Sequence, residues 1–253
     1  MTFSLETRNL TIRFGGHVAV NGVSCAFAPG TLTAIVGPNG AGKTTYFNLI
    51  SGQLRASAGQ VLLYGDDITA QSASARSRLG IGRAFQLTNL FPNLSVLENV
   101  RLAVQSRAHL GLNLWSVWSR HHELVGKAEE VLEIVALADK RNAPAAALSH
   151  GDQRKLEVAM MMALEPEVYM FDEPTAGMSL DEAPVILELI RGLKAQRDKT
   201  VLLVEHKMDV VRELADRIVV LHNGALVADG EPEAVIASPI VQQAYLGVAP
   251  VAA

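Results

Sequence analysis

The sequence predicts an α/β fold with a mainly parallel core sheet, an antiparallel β region and an inserted helical lobe. Short apolar runs at 31–36, 168–171 and 200–204 are typical of parallel strands that are covered on both faces. The segment from about Leu5 to Phe27 alternates in polarity, which indicates an antiparallel region. Residues 94–164 carry mostly helical periodicity and interrupt the series of strands, so we predict a helical lobe there.

Further elements complete this outline. Residues 60–64 read as another strand, and a short apolar strand ends at Gln86. Residues 218–227 predict a hairpin, because Asn-Gly supplies its turn. A short helix begins after Pro232, and the tail 248–253 is expected to fray.

We therefore predict a single domain over residues 1–253. Its core would comprise about 1–93 and 165–230, with the helical lobe at about 94–164 and a C-terminal helix and tail at 231–253.

Composition excludes several classes of protein. The chain has 253 residues, 49% of them apolar, and a net charge of −4, without the basic stripe expected of a duplex-binding protein. Cys25 is the only cysteine, so no internal disulfide can form, and its apolar surroundings suggest a small buried hydrophobe. The N-terminal residues lack the pattern of a signal peptide, and no run of about 18 apolar residues predicts a membrane span.

The most informative motif follows the first apolar strand. Its spacing is G-x-x-x-x-G-K-[ST], in which backbone N–H groups curl around phosphate oxygens at a helix N-terminus. Lys43 would reach the β- and γ-phosphates, and Thr44 would hold Mg²⁺. The alternative is a tight strand-to-helix turn, but this would need one glycine and no lysine. The predicted nucleotide-binding residues of the loop are Gly37, Asn39, Gly40, Ala41, Gly42, Lys43, Thr44 and Thr45.

Two carboxylates follow the apolar run at 168–171. Ligands of open α/β sheets bind at the carboxyl ends of parallel strands, which is where Asp172 and Glu173 would lie. Asp172 would support Mg²⁺, and Glu173 would orient and activate the attacking water. By itself the same sequence could form only an acidic turn.

The segment Leu148–Gln153 resembles the signature sequence of ATP-binding-cassette (ABC) ATPases. The resemblance implies that Ser149 and Gly151 of one subunit complete the ATP site of a second subunit. Ser149 and Asp152 also fit a capping box, which would merely start a helix, and the two interpretations are compatible. His150 and Asp152 depart from the family pattern, which more often has glycine and glutamine there.

Other positions match this family in order, which implies a P-loop NTPase cassette that binds ATP and Mg²⁺. Phe14 matches the residue that stacks on adenine, although by composition alone it would belong to the core. Gln86 matches a glutamine that touches Mg²⁺, together with Thr44 and Asp172. His206 matches the histidine that contacts the γ-phosphate and joins Glu173 and Lys43 as a catalytic residue. Ser179 departs from the aspartate that many members carry.

Within the family, the chain is most similar to the ATPase subunits of branched-chain amino acid importers. Residues 82–86, 148–157 and 244–247 carry this similarity, and the long stretch 105–127 is similar to the larger type of subunit. The resemblance implies a second related or identical ATPase subunit in a head-to-tail dimer, transmembrane permease subunits and, indirectly, a substrate-binding protein. It also implies peripheral attachment at the cytoplasmic face of the inner or plasma membrane, and no nucleic-acid partner.

The stretch 105–127 contains both tryptophans, Trp115 and Trp118. They either face the permease or lipid headgroups, or pack the extra helix onto its lobe, and their i, i+3 spacing favours packing. His121 and His122 point apart on a helix, so we predict no metal site there.

The loop at 87–94 is apolar. The resemblance implies that it lies beside a groove that receives a permease helix, whereas the alternative is that Leu90 and Phe91 only anchor the lobe to the core.

Two other functions are alternatives for the chain as a whole. A soluble cassette ATPase in DNA repair or translation would carry coiled-coil insertions, a second cassette or a basic surface. A non-hydrolysing nucleotide sensor would not need Glu173 or His206.

Overall fold

The chain folds into both strands and helices, with three strands at its start and three α-helices within residues 96–163. The computed structural model describes residues 3–84, 90–108, 122–178, 183–239 and 241–242. The strands are β1 (Leu5–Phe14), β2 (His17–Phe27), β3 (Leu32–Val36), β4 (Ala58–Leu63), β5 (Asp66–Asp67), β6 (Ile81–Ala84), β7 (Val168–Asp172), β8 (Thr200–Val204), β9 (Arg217–His222) and β10 (Ala225–Gly230). The helices are α1 (Lys43–Ser51), α2 (Ala73–Arg78), α3 (Val96–Arg107), α4 (His122–Ile134), α5 (His150–Ala163), α6 (Ala183–Ala195), α7 (Met208–Leu214) and α8 (Pro232–Ala237).

The strands form two sheets. The first has the order β2-β1-β4-β5, and all of its pairs are antiparallel. The second has the order β10-β9-β3-β8-β7-β6. In it, β3 pairs in parallel with β8 and β9, β7 pairs in parallel with β8, and only the hairpin partner β10 is shown to run antiparallel. The predicted α/β fold, with a mainly parallel sheet and an antiparallel region, is confirmed.

The chain divides into two compact units. The first comprises Met1–Ile81, Glu167–Glu173 and Leu193–Ala253, and the second comprises Gly82–Pro166 and Pro174–Gly192. The domain boundaries inferred from the sequence remain predictions.

Helix α1 lies at the centre of the first unit. Phe47 and Ile50 of this helix are fully buried in a cluster that takes apolar side chains from both sheets. The opposite face of the parallel sheet packs on α7 and α8 through Val211 and Val235. Cys25 belongs to the same cluster as Phe47 and Ile50, and burial raises the pKa of its thiol to about 11, so it packs as an uncharged side chain.

The second unit has its own core. Helices α3, α4 and α5 contribute buried side chains such as Val100, Leu132 and Leu156. Two serines fix helix starts in this unit, because Ser95 Oγ accepts from Glu98 N at 3.1 Å and Ser149 Oγ accepts from Asp152 N at 3.2 Å.

Candidate functional site

The predicted phosphate loop lies between β3 and α1. All five residues of β3 are buried, so the strand fixes the point at which the loop begins. The N-cap of α1 is Gly42, which has no side chain to bond the first turn, and that turn contains no acidic residue. The N–H groups of the first turn and the positive end of the helix dipole therefore remain available to an anion.

Position 42 admits only glycine. Its φ is 96°, in the left-handed region, and a Cβ there would lie 2.5 Å from the carbonyl oxygen of Ala19. Any larger residue would combine backbone strain with a steric clash against β2. The second glycine of the motif therefore lets the loop approach its neighbours closely.

Lys43 folds back across this loop. Its Nζ donates hydrogen bonds to the carbonyl oxygens of Gly37 at 2.7 Å and Pro38 at 3.1 Å. Burial lowers the pKa of the ammonium group, while the nearby charges of Glu173 and Asp172 oppose that shift. The charge of the lysine thus links the phosphate loop to the carboxylates that follow β7.

Glu173 has an unusual backbone. Asp172 ends the fully buried strand β7 and is itself only 2% exposed, whereas the side chain of Glu173 is 30% exposed. The φ of Glu173 is 50°, and its N–H donates to the carbonyl oxygen of Val204 at 3.0 Å. A non-glycine residue in this conformation costs about 1–3 kcal/mol, which the neighbouring strand must offset. This left-handed conformation gives the Glu173 side chain a different direction from the one it would have if strand β7 continued.

His206 is positioned by a residue that the sequence analysis missed. The side chain of Glu205 is 1% exposed, and its Oε1 accepts from the backbone N–H groups of His206 at 2.9 Å and Lys207 at 3.0 Å. His206 Nδ1 lies 3.4 Å from that oxygen and 4.0 Å from Oε1 of Glu173. A carboxylate directly after a buried strand was the available signal, since such a group needs hydrogen-bond donors nearby.

These groups converge because of the strand order. Lys43 follows β3, Asp172 ends β7, and His206 follows β8, which lies between those two strands in the sheet. All three strands are parallel, so their carboxyl ends meet at one edge. The arrangement can bind phosphate, hold a cation and activate water.

The donor set suits Mg²⁺ held together with phosphate oxygens. Thr44 and Asp172 offer a hydroxyl and a carboxylate, and Mg²⁺ prefers such oxygen ligands. In the described ranges, no group of three or more His, Cys, Asp or Glu side chains could hold a metal ion. Mg²⁺ sites usually take one or two carboxylates plus substrate phosphates. Gln86, the third predicted ligand, lies outside the described residues.

Phe14 is exposed at the end of β1. Its relative exposure is 48%, so the alternative that it belongs to the hydrophobic core is wrong. An exposed aromatic ring is free to stack on a base.

The predicted signature opens α5 in the second unit. Ser149 is the N-cap of α5, so the predicted helix start is confirmed, and both Ser149 and His150 are exposed. Asp152 is buried, and its carboxylate pairs with Lys140 and, at 3.2 Å, with Lys155. Burial alone would raise the pKa of Asp152, but the hydrogen bonds and charges of the two lysines outweigh burial and hold it below its usual value. The departure at position 152 thus places in the first turn of α5 an ionised carboxylate whose charge is balanced by two lysines.

Comparison with known proteins identifies the class of protein. The ABC transporter family matches residues 20–176 of this chain, and the chain belongs to that family. The high-affinity branched-chain amino acid transport ATP-binding protein LivG of Escherichia coli (strain K12) is 37% identical over 250 residues, which cover 97% of this chain and 98% of LivG.

Solved structures agree with this assignment. An ATP-binding cassette of an ABC transporter in its ADP conformation has a TM-score of 0.83 and 32% identity, covering 98% of this chain and 100% of that one. A dimeric ATP-binding cassette in a post-hydrolysis state, bound to ADP and Pi, has a TM-score of 0.77 and 26% identity, covering 90% of this chain and 98% of that one.

Some predicted features lie beyond the described part of the chain. Among the helices that the structure does describe, none has the length and apolar character needed to cross a membrane. Ser179, Trp115, Trp118 and the segment 244–247 lie outside the described residues, as does most of the stretch 105–127.

Proposed function

We propose that this chain is the ATP-hydrolysing subunit of an importer for branched-chain amino acids or a related small polar or amide substrate. The observation that carries the ATPase part is the convergence of Lys43, Asp172, Glu173 and His206 at one edge of the parallel sheet. The substrate class rests on the 37% identity to LivG over nearly the whole of both chains.

Binding would use the phosphate loop and Phe14. The base would stack on the exposed ring of Phe14, while the first-turn N–H groups of α1 take the phosphates. Lys43 would exchange its two carbonyl acceptors for phosphate oxygens, so the bound anion would replace the bonds to Gly37 and Pro38. The remaining loop residues, Asn39, Gly40, Ala41 and Thr45, would complete the cradle.

Hydrolysis would place a water between Glu173 and the γ-phosphorus. The water oxygen forms the new P–O bond, ADP departs with the electrons of the broken bond, and the Glu173 carboxylate accepts the proton of the water. His206, aimed by Glu205, would contact the γ-phosphate. When bound, Mg²⁺ would be held by Thr44, Asp172 and Gln86 and would neutralise negative charge on the phosphates.

A second subunit would complete the site. The first turn of α5 leaves Ser149 exposed at a helix N-terminus, which favours an anion supplied by another chain. We propose a head-to-tail dimer with an identical or related subunit, bound to permease subunits at the cytoplasmic face of the membrane and served by a substrate-binding protein.

The test is reconstitution of this chain with its permease and binding protein in lipid vesicles. We expect ATP hydrolysis to rise when leucine, isoleucine or valine is supplied with the binding protein, and Lys43→Ala to abolish the rise. Absence of ATP binding by the purified chain would overturn the ATPase assignment. A rate of hydrolysis that does not change with branched-chain amino acids but rises with another solute would overturn only the proposed substrate class.

A further inference from the structure

The turn between β9 and β10 contacts the phosphate loop directly. The N–H of Gly224 donates to the carbonyl oxygen of Ala41 at 3.0 Å, and the carbonyl oxygen of Gly224 accepts from the N–H of Asn21 at 2.8 Å. One residue thus joins the loop to β2 from a position far along the chain. Both hydrogen bonds join backbone atoms, so the G-x-x-x-x-G-K-[ST] motif does not predict them.

The hydrogen bond to Ala41 fixes the direction of a neighbouring N–H. The described residues contain no cis peptide bond, and in a planar trans peptide the C=O of one residue and the N–H of the next point in opposite directions. Holding the Ala41 carbonyl against the turn therefore aims the N–H of Gly42 away from it. Gly42 is the N-cap of α1, so this N–H belongs to the group that receives an anion.

The packing around this hydrogen bond is close. A Cβ on Gly224 would lie 2.7 Å from the carbonyl oxygen of Ala19, and a Cβ on Gly42 would lie 2.5 Å from the same oxygen. The turn, β2 and the loop therefore meet with no room for a side chain. Displacing any one of them would shift the other two.

The turn itself is well defined. Asn223 and Gly224 have φ values of 49° and 77°, and they are flanked by the paired residues His222 and Ala225. This is the two-residue hairpin geometry in which both central residues are left-handed. Strand β9 also pairs with β3, with Val220 opposite Val36, so the turn follows the strand beside the one that carries the loop.

We propose that the Asn223-Gly224 turn is a positioning element of the ATP site, which holds the Ala41–Gly42 peptide with the N–H of Gly42 facing the phosphates. The proposal rests on the proposed function, because it assumes that the loop binds ATP. It assigns no chemical step to the turn, which acts on the nucleotide only through the loop.

A matched pair of variants separates this role from ordinary hairpin stability. Gly224→Asn keeps a residue that tolerates left-handed backbone but adds a Cβ against Ala19. Gly65→Asn makes the same change in the Tyr64-Gly65 turn between β4 and β5, where φ values are 50° and 88° and a Cβ at Gly65 would meet nothing within 4 Å. The measurements are the Kd for Mg-ATP and the melting temperature of each purified variant.

We expect Gly224→Asn to raise the Kd for ATP at least tenfold, beyond any change seen in Gly65→Asn, because the loop amides move out of register with the phosphates. A Kd within twofold of the parent in folded Gly224→Asn would overturn the proposal. If the parent itself fails to bind ATP, the proposed function fails instead.

The parent protein supplies a second measurement in case Gly224→Asn does not fold. With ¹⁵N-labelled glycine, ATP should shift the amide signals of both Gly42 and Gly224 and leave that of Gly65 unchanged. An ATP-induced shift at Gly42 without one at Gly224 would show that the turn and the loop are uncoupled, and would overturn the proposal.

Discussion

His206 Nδ1 lies 4.0 Å from Oε1 of Glu173, although the two residues follow different strands. A hydrogen bond fixes the backbone at each of the two residues. Glu173 is held by its backbone bond to Val204, and the backbone of His206 is held by the carboxylate of Glu205. If Glu173 accepts the proton of the water and His206 contacts the γ-phosphate, as proposed, this relationship places the two groups side by side and reduces the reorganisation required during reaction.

Glu173→Gln should separate binding from hydrolysis. We expect ATP affinity to remain near that of the parent while turnover falls by roughly 10²–10⁴-fold, the usual contribution of a general base. Lys43→Ala is the contrasting variant and should weaken binding itself, because the loop loses its cation. Turnover near the parent rate in Glu173→Gln would show that another group activates the water.

ATP hydrolysis by the isolated chain should depend on its self-association. If Ser149 and Gly151 act on the ATP of another subunit, the rate should rise faster than linearly with protein concentration, or require a second type of ATPase subunit. The measurement is phosphate release across a dilution series, with the oligomeric state followed by sedimentation. Linear turnover by a proven monomer would rule out a shared site.

We expect Phe91 to support coupling to the permease and Leu90 to support the stability of the fold. Phe91 is 50% exposed, whereas Leu90 is partly buried against the core of the second unit. Asn99 holds the backbone of Phe91, accepting from its N–H at 2.8 Å and donating to its carbonyl oxygen at 3.1 Å, so the backbone at this residue does not need the phenyl ring to hold it.

We therefore expect Phe91→Ser to change the free energy of unfolding by less than about 0.5 kcal/mol while lowering permease-stimulated hydrolysis. Leu90→Ser is the control and should destabilise the protein by about 1–3 kcal/mol. A large melting loss in Phe91→Ser with normal coupling would favour the anchoring alternative.

The Asp152 ion pairs should stabilise the protein over a defined pH range. The pKa of this carboxyl is lower in the folded protein than its ordinary value, so its contribution is present above the unfolded pKa of about 4 and is lost as pH falls through the folded pKa. Asp152→Asn should reduce the free energy of unfolding by about 1–3 kcal/mol at neutral pH.

Urea unfolding at several pH values checks this expectation. The difference between parent and Asp152→Asn should stay constant between pH 8 and pH 5, because Asp152 remains ionised throughout. A difference that declines over that range would indicate that another titrating group controls the effect.

The sequence predicted those parts of the site that depend on strand ends. Apolar runs leading into Gly37, Asp172 and Glu205 identified buried strands, and parallel strands must bring their carboxyl ends together. The helix start at Ser149 followed from local capping chemistry in the same way.

The remaining contacts depend on tertiary packing. The pairing of Lys140 with Asp152 joins separate elements, and the bond from Gly224 to Ala41 involves only backbone atoms. Neither leaves a pattern in a single sequence. The left-handed backbone of Glu173 was equally hidden, because the residue type does not favour it and the neighbouring strand imposes it.

The position of β3 in the sheet has a consequence for synthesis of the chain. Its two neighbours, β8 and β9, are translated long after it, and Leu32 N bonds a carboxylate of Asp216, 184 residues later. The phosphate loop therefore leaves the ribosome well before the strands that hold it. Until β9 has emerged, one edge of β3 lacks its partner strand, so we expect the nascent chain to need protection from aggregation and to gain affinity for ATP only after residue 224 has emerged.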